Sequence, residues 1–285
     1  MSGDERVKLP SRRSFIKFLA TLAGLFTFAS LISELRYLSP PRVIPVSGRF
    51  QAELFAWAME QPPTEPRGKW RRNWVMVIDL ERCDGCGSCT IACKLEHEVP
   101  DGQEWIKVYE MKENPLQPPY FLPRPCMQCE NAPCVKVCPV GATFYNEDGV
   151  VDIDKDRCIG CRLCMAACPY GARYFNWGAV SSSRRLPVEE TNMLKHVVGT
   201  VEKCIWCDHR YQRNKLPACV LGCPHKAIFF GDVDEDAVTN GSETWKISEV
   251  FENRFSFRLL EELGTEPRVY YLAAARPRVS PPLSP

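Results

Sequence analysis

Apolar residues gather in a few short runs rather than in long amphipathic stretches. Trp74-Val-Met-Val-Ile78 is uninterrupted and predicts a buried strand. Thr143-Phe-Tyr145 and Val150-Val-Asp-Ile153 flank Asn146-Glu-Asp-Gly149, the pattern of a hairpin closed by turn residues. Near the amino terminus, Phe18 to Ser33 is uncharged but diluted by Thr21, Gly24, Thr27 and Ser30, which leaves it moderately hydrophobic and short for a membrane span. It is the one run that approaches spanning length, so a polytopic membrane protein is excluded. Ser39-Pro-Pro41 and Gln61-Pro-Pro-Thr-Glu-Pro66 read as linker, and Gly178–Val201, with Ser181-Ser-Ser-Arg-Arg185, reads as a polar, solvated insert.

The 285 residues suffice for one sizeable domain, or two small ones with a tail. With 36 basic against 35 acidic side chains the net charge is +1, so no global field points to nucleic acid as a partner. Charged residues at 25% and hydrophobic ones at 45% are ordinary for a globular chain. Sixteen cysteines change the picture.

They fall into four groups of four: Cys83, Cys86, Cys89, Cys93; Cys126, Cys129, Cys134, Cys138; Cys158, Cys161, Cys164, Cys168; and Cys204, Cys207, Cys219, Cys223. The first and third groups read C-x2-C-x2-C-x3-C, the second C-x2-C-x4-C-x3-C-P and the fourth C-x2-C-x11-C-x3-C-P. Pro139, Pro169 and Pro224 follow the last cysteine of their groups, where the first group has Lys94. C-x2-C-x2-C-x3-C-P is the bacterial ferredoxin spacing for cubane iron–sulfur clusters. Three thiolates on a tight loop wrap three corners of one cubane; the fourth, a helical turn later, faces away and serves the other cluster of a pair. Disulfides among such close neighbours would make a poor scaffold, and a third thiol two residues beyond a C-x2-C pair is not zinc-ribbon spacing. Every group already has four thiols, and His97 and His225 lack the paired spacing of a Rieske centre. Trp206, between two cysteines of the fourth group, is placed either to shield a cluster or simply to pack.

Ile78–Cys93 repeats at Ile153–Cys168 with nine identities in sixteen positions, and C-P-x-x-A-x-x-aromatic recurs at Cys138–Tyr145, Cys168–Phe175 and Cys223–Phe230. The unit is strand, cysteine loop, short helix, strand. An α+β fold of two nested bacterial ferredoxin-like units follows. Residues 74–112 and 198–232 make the outer unit, 113–180 the inner unit, 49–73 a linker and 233–285 a carboxy-terminal extension. By the exchange of fourth cysteines, the expected ligand sets are Cys83, Cys86, Cys89 and Cys223 (cluster one); Cys93, Cys204, Cys207 and Cys219 (cluster two); Cys126, Cys129, Cys134 and Cys168 (cluster three); and Cys138, Cys158, Cys161 and Cys164 (cluster four).

Ser11-Arg-Arg-Ser-Phe-Ile-Lys17 matches a twin-arginine export motif ahead of the uncharged run, so residues 1–48 are expected to be a signal or anchor recognised by the twin-arginine machinery. That route carries folded cargo, which suits clusters inserted in a reducing cytosol. The expected location is the periplasm or the outer face of the cytoplasmic membrane. No clean cleavage site follows the run, so retention of the leader as an anchor stays open.

With these groups and leader, the chain resembles the four-cluster ferredoxin-like subunit of the complex iron–sulfur molybdoenzyme family, the type found in dimethyl sulfoxide, polysulfide and tetrathionate reductases. The likeness spans about Trp74 to Leu272. It is most specific at Cys126–Ala142, Cys204-Ile-Trp-Cys-Asp-His-Arg210, Leu216-Pro-Ala-Cys219 and Glu262–Tyr271. It implies four [4Fe–4S] clusters, the same nested pairing, no substrate site in this chain, and two partners: a large molybdopterin-type catalytic subunit and a polytopic quinone-reactive membrane subunit. The alternatives are the equivalent subunit of a hydrogenase or quinone–cytochrome complex and, in another class, a zinc-binding structural protein.

Overall fold

The computed structural model describes residues 48–60, 70–112, 119–178 and 196–273. The expected leader, the Pro-rich stretch at 61–66 and most of the polar insert lie outside them. No helix among the described residues is long and apolar enough to cross a membrane.

The order of elements is α1 (Gly48–Glu60), β1 (Trp74–Asp79), α2 (Ser88–His97), β2 (Lys107–Met111), β3 (Tyr120–Arg124), α3 (Pro133–Lys136), β4 (Thr143–Tyr145), β5 (Val151–Ile153), α4 (Leu163–Ala167), β6 (Tyr174–Phe175), β7 (Val201–Glu202), α5 (Asp208–Tyr211), α6 (Ala218–Leu221), β8 (Ile228–Asp232), β9 (Ala237–Thr239), β10 (Thr244–Lys246), α7 (Ile247–Asn253), β11 (Ser256–Phe257) and β12 (Val269–Leu272). A six-stranded sheet runs β10-β9-β8-β1-β12-β11, with three two-stranded ribbons beside it, β2-β3, β4-β5 and β6-β7. Among the described residues only β1 and β12 pair in parallel; every other neighbouring pair is antiparallel.

Period-two alternation gives the large sheet two apolar faces. Met76 and Ile78 of β1, Ile228 and Phe230 of β8, and Val269 and Tyr271 of β12 face the cysteine loops and join the main core. Val75, Val77, Phe229 and Leu272 point the other way and are covered by Ile247, Val250 and Phe251 of α7 and by Trp245, which stacks on Phe229 at 3.8 Å. Each such side chain, fully buried, stabilises the fold by roughly 1.5–3 kcal/mol.

The strand that enters the first cysteine group, β1, pairs with the strand that leaves the fourth, β8, in register Met76 to Phe230. Helix α2 of the first group packs against α6 of the fourth, and α3 of the second against α4 of the third. The hairpin expected at 143–153 is present. Asn146 closes it, its Oδ1 accepting from the N–H groups of Asp148 (3.0 Å) and Val150 (2.9 Å).

Two segments carry more structure than their sequence pattern suggests. Part of the stretch read as linker forms α1, because Leu54 and Ala58, one turn apart, place an apolar stripe against α3 and α4. The residues after 232 supply four of the six sheet strands. Asp79, at the end of β1 and 1% exposed, is gripped by Arg254 from this region through Nη1 (2.6 Å) and Nη2 (2.8 Å), with Arg82 Nε at 3.3 Å. Arg254→Met leaves a buried carboxylate short of its main partner. Denaturant unfolding of the cluster-loaded subunit is expected to show a loss of about 3 kcal/mol, with little change for Lys246→Met on the surface.

Candidate iron–sulfur cluster sites

The repeated Ile-Asp-x-x-Arg-Cys segments build the same entry to the first and third loops. Asp79 Oδ1 accepts from the Glu81 N–H (3.1 Å), and Asp154 Oδ1 accepts from the Asp156 N–H (2.9 Å). Each carboxylate also pairs with the arginine three residues on, both at 3.3 Å. The carboxylate therefore turns the chain just before the first cysteine.

All four loops then share a backbone device. The second residue after the first cysteine is left-handed in each: Gly85 (φ 80°), Gln128 (46°), Gly160 (67°) and Trp206 (55°). This conformation costs an ordinary residue about 1–2 kcal/mol, so each needs a cause. A Cβ on Gly160 would lie 2.0 Å from the Gly199 carbonyl oxygen, and one on Gly85 would enter the Phe121 ring. Gln128 is held instead by its side chain, which donates to the Cys204 carbonyl (2.8 Å) and accepts from the Val151 N–H (2.8 Å). Trp206 is held by burial, edge-on to Phe230 at 5.4 Å. The turn reverses the chain within three residues, which lets C-x2-C wrap a compact object. Gln128 also ties the second loop to the fourth.

All sixteen cysteines are free thiols among the described residues. Ten are buried, and Cys86 and Cys161 are exposed. The thiols that influence one another come both from their own group and from a different one. Cys83 is close to Cys223 and Cys86, and Cys89 to Cys83 and Cys223. Cys93 faces Cys204, Cys207 and Cys219. Cys129 faces Cys126, Cys134 and Cys168. Cys138, Cys158, Cys161 and Cys164 line one small cavity with Ile153, Ile159 and Val201. Interactions also run from one set to the next: Cys219 to Cys89, Cys204 to Cys126, and Cys164 to Cys134.

Burial pushes the thiols up, Cys89 to about 12 and Cys168 and Cys204 to about 11. Four thiols gathered in an apolar surround suit a ligand that takes thiolate and releases the protons, as iron does. Backbone donors point at the sulfurs, Ala218 N–H to Cys207 Sγ (3.5 Å) and Ala227 N–H to Cys223 Sγ (3.4 Å). His97 is buried, its pKa lowered to about 3 by burial first and then by neighbouring cations and histidines. It is therefore neutral, with Nε2 3.0 Å from Cys207 Sγ and so placed to donate to a ligated sulfur. His225 pairs with Asp84 at 2.7 Å beside the exposed Cys86. The donor set thus fits [4Fe–4S] clusters, which supply one-electron carriers when bound. The thiolates hold them, the amides and His97 stabilise charge on sulfur, and the packed aromatic side chains exclude water.

A fold of paired cysteine loops with this donor set defines a ferredoxin-type electron carrier. Profiles of the 4Fe-4S dicluster domain match residues 82–142 and 118–186. A selenate reductase subunit from Mesobacillus selenatarsenatis is 43% identical over 95% of this chain and 99% of its own. The iron–sulfur cluster-binding subunit of menaquinone reductase from Nitratidesulfovibrio vulgaris is 38% identical over 72% and 90%, and a tetrathionate reductase subunit from Salmonella typhimurium 36% over 77% and 80%. The chain belongs to the ferredoxin-like iron–sulfur subunits of the complex iron–sulfur molybdoenzyme family. It carries four [4Fe–4S] clusters and transfers electrons within a reductase complex whose catalysis belongs to a partner subunit.

Proposed function

We propose that the clusters are held by the nested sets: Cys83, Cys86, Cys89 and Cys223; Cys93, Cys204, Cys207 and Cys219; Cys126, Cys129, Cys134 and Cys168; Cys138, Cys158, Cys161 and Cys164. They form a single file from cluster one to cluster four. The observation that carries this reading is the chain of interactions between sets, Cys89 with Cys219, Cys204 with Cys126 and Cys134 with Cys164. The exposed thiols, Cys86 and Cys161, fall at its two ends, where electrons enter and leave. One end serves a molybdopterin-type catalytic subunit and the other a quinone-reactive membrane subunit. The relatives named for selenate, tetrathionate and menaquinone support a redox partner on each side. The twin-arginine motif supports export of the folded, loaded subunit to the outer face of the cytoplasmic membrane.

The test is elemental analysis of the complex purified anaerobically from native membranes with this chain as bait. Iron near sixteen atoms per chain (four clusters of four), in addition to any the partners hold, together with molybdenum or tungsten, is the expected result. Nickel would place the chain with a hydrogenase, and haem iron without molybdenum with a quinone–cytochrome complex.

A further inference from the structure

Three buried cations lie beside cluster thiols. Lys203, preceding Cys204, donates to the carbonyls of Val151 and Cys204, the latter at 3.0 Å. Arg268 donates to the carbonyls of Gln128 (2.7 Å) and Gly149 and lies over the Trp206 ring, with Glu130 close enough to offset part of its charge. Arg173 is different. It is 4% exposed, its Nη1 donates to Thr143 Oγ1 at 3.2 Å, and its Nη2 finds no hydrogen-bond partner among the described residues.

What surrounds Arg173 is sulfur. The sulfurs that act on it most strongly are those of Cys134, Cys164, Cys126 and Cys168, and the guanidinium reaches the Cys164 thiol. Three of them belong to the proposed cluster-three set and one to the cluster-four set. The internal repeat sharpens the point. In C-P-x-x-A-x-x-aromatic the residue after alanine is Thr143 in the second group, Arg173 in the third and Ile228 in the fourth. Thr143 and Arg173 thus meet across the inner unit, whereas the outer unit carries an apolar, fully buried Ile228 at the same place. A buried guanidinium costs several kcal/mol unless negative charge repays it, and the negative charge available here is thiolate and cluster.

Resting on the ligand pairing proposed above, we propose that Arg173 is a fixed positive charge shared by clusters three and four, which raises the reduction potential of both and keeps them close to each other. Guanidinium does not lose its proton in proteins, so the contribution is independent of pH. A charge between two carriers favours the electron on either one and adds no step between them, whereas a charge at one end would trap it.

The test is an anaerobic redox titration of the purified complex, followed by electron paramagnetic resonance, for Arg173→Gln and Arg173→Lys. Arg173→Gln, which keeps a donor for Thr143 without the charge, is expected to lower two of the four potentials. Each reduction equilibrium should fall by about tenfold or more, 59 mV for a one-electron couple. Arg173→Lys is expected to restore most of the shift, with iron content unchanged in both. Potentials unmoved in Arg173→Gln would overturn the proposal. Equal shifts in the two variants, or loss of iron from both, would also overturn it, because they assign Arg173 a packing role. Shifts confined to signals that neither Cys164→Ser nor Cys168→Ser disturbs would overturn the proposal as well, whereas Cys164→Ser and Cys168→Ser disturbing one and the same signal would overturn the ligand pairing instead.

Discussion

Stripping iron from the subunit is expected to unfold its cysteine-loop half while leaving the large sheet largely formed. The reason lies in what the core is made of. Cys89, Cys93, Cys129, Cys134, Cys164, Cys168, Cys204 and Cys219 are themselves members of the main core, between Met127, Trp206 and Tyr170. Around them the elements are minimal: α3 has four residues, α4 five, β6 and β7 two each. Helices and ribbons of that length do not hold themselves together. Structural metals contribute on the order of 10 kcal/mol per site, comparable with the whole net stability of a domain, about 5–15 kcal/mol. The second core, Val75, Val77, Phe229, Val238, Ile247 and Leu272, contains no cysteine. Hydrogen exchange after chelation should therefore show protection lost across residues 119–178 and 196–226, and kept in β1, β8 and β12. Any residual fold of the loop half should also weaken above pH 9. Its buried thiols stay neutral below that and favour the folded state there; the advantage is lost as pH climbs through their raised values of about 11 to 12. Uniform protection with and without iron would show that apolar packing alone carries the loops.

This division explains which parts could be read from sequence. Cysteine spacing is a covalent ruler, so four groups were legible without any structure. Trp74–Ile78 and the Asn146–Gly149 hairpin were legible because apolar runs and turn residues are local signals. The left-handed turns at Gln128 and Trp206 were not, since neither residue type signals φ above zero; only their place two residues after a cysteine, matching Gly85 and Gly160, could have found them. Arg173, Arg268 and Lys203 were missed for a related reason. A cation in sequence reads as surface, and its burial depends on thiols brought in from distant groups. Strand β12 escaped because it pairs in parallel with β1 across almost two hundred residues of chain, a partner no local pattern names.

Serine at Cys93 is expected to destroy the cluster of Cys204, Cys207 and Cys219 and to spare that of its own neighbours Cys83, Cys86 and Cys89. Cys89 and Cys93 lie one turn apart on α2, against α6 and Cys219. Cys89 is close to Cys83 and Cys223, but the thiols around Cys93 are first Cys204, then Cys207 and Cys219. One helical turn thus hands successive cysteines to different loops. The mirrored substitution in the inner unit is Cys138→Ser, which should damage the cluster of Cys158, Cys161 and Cys164 and leave that of Cys126, Cys129 and Cys134. In each case iron should fall by about four atoms per chain, with one resonance signal lost. Electron transfer through the subunit to its catalytic partner should fall to background, because the proposed single file has no route around a missing carrier. Loss of the signal belonging to the cysteine's own loop would refute the exchange. Undiminished turnover with the signal gone would refute the single file, and would mean that electrons enter the chain beyond the missing cluster.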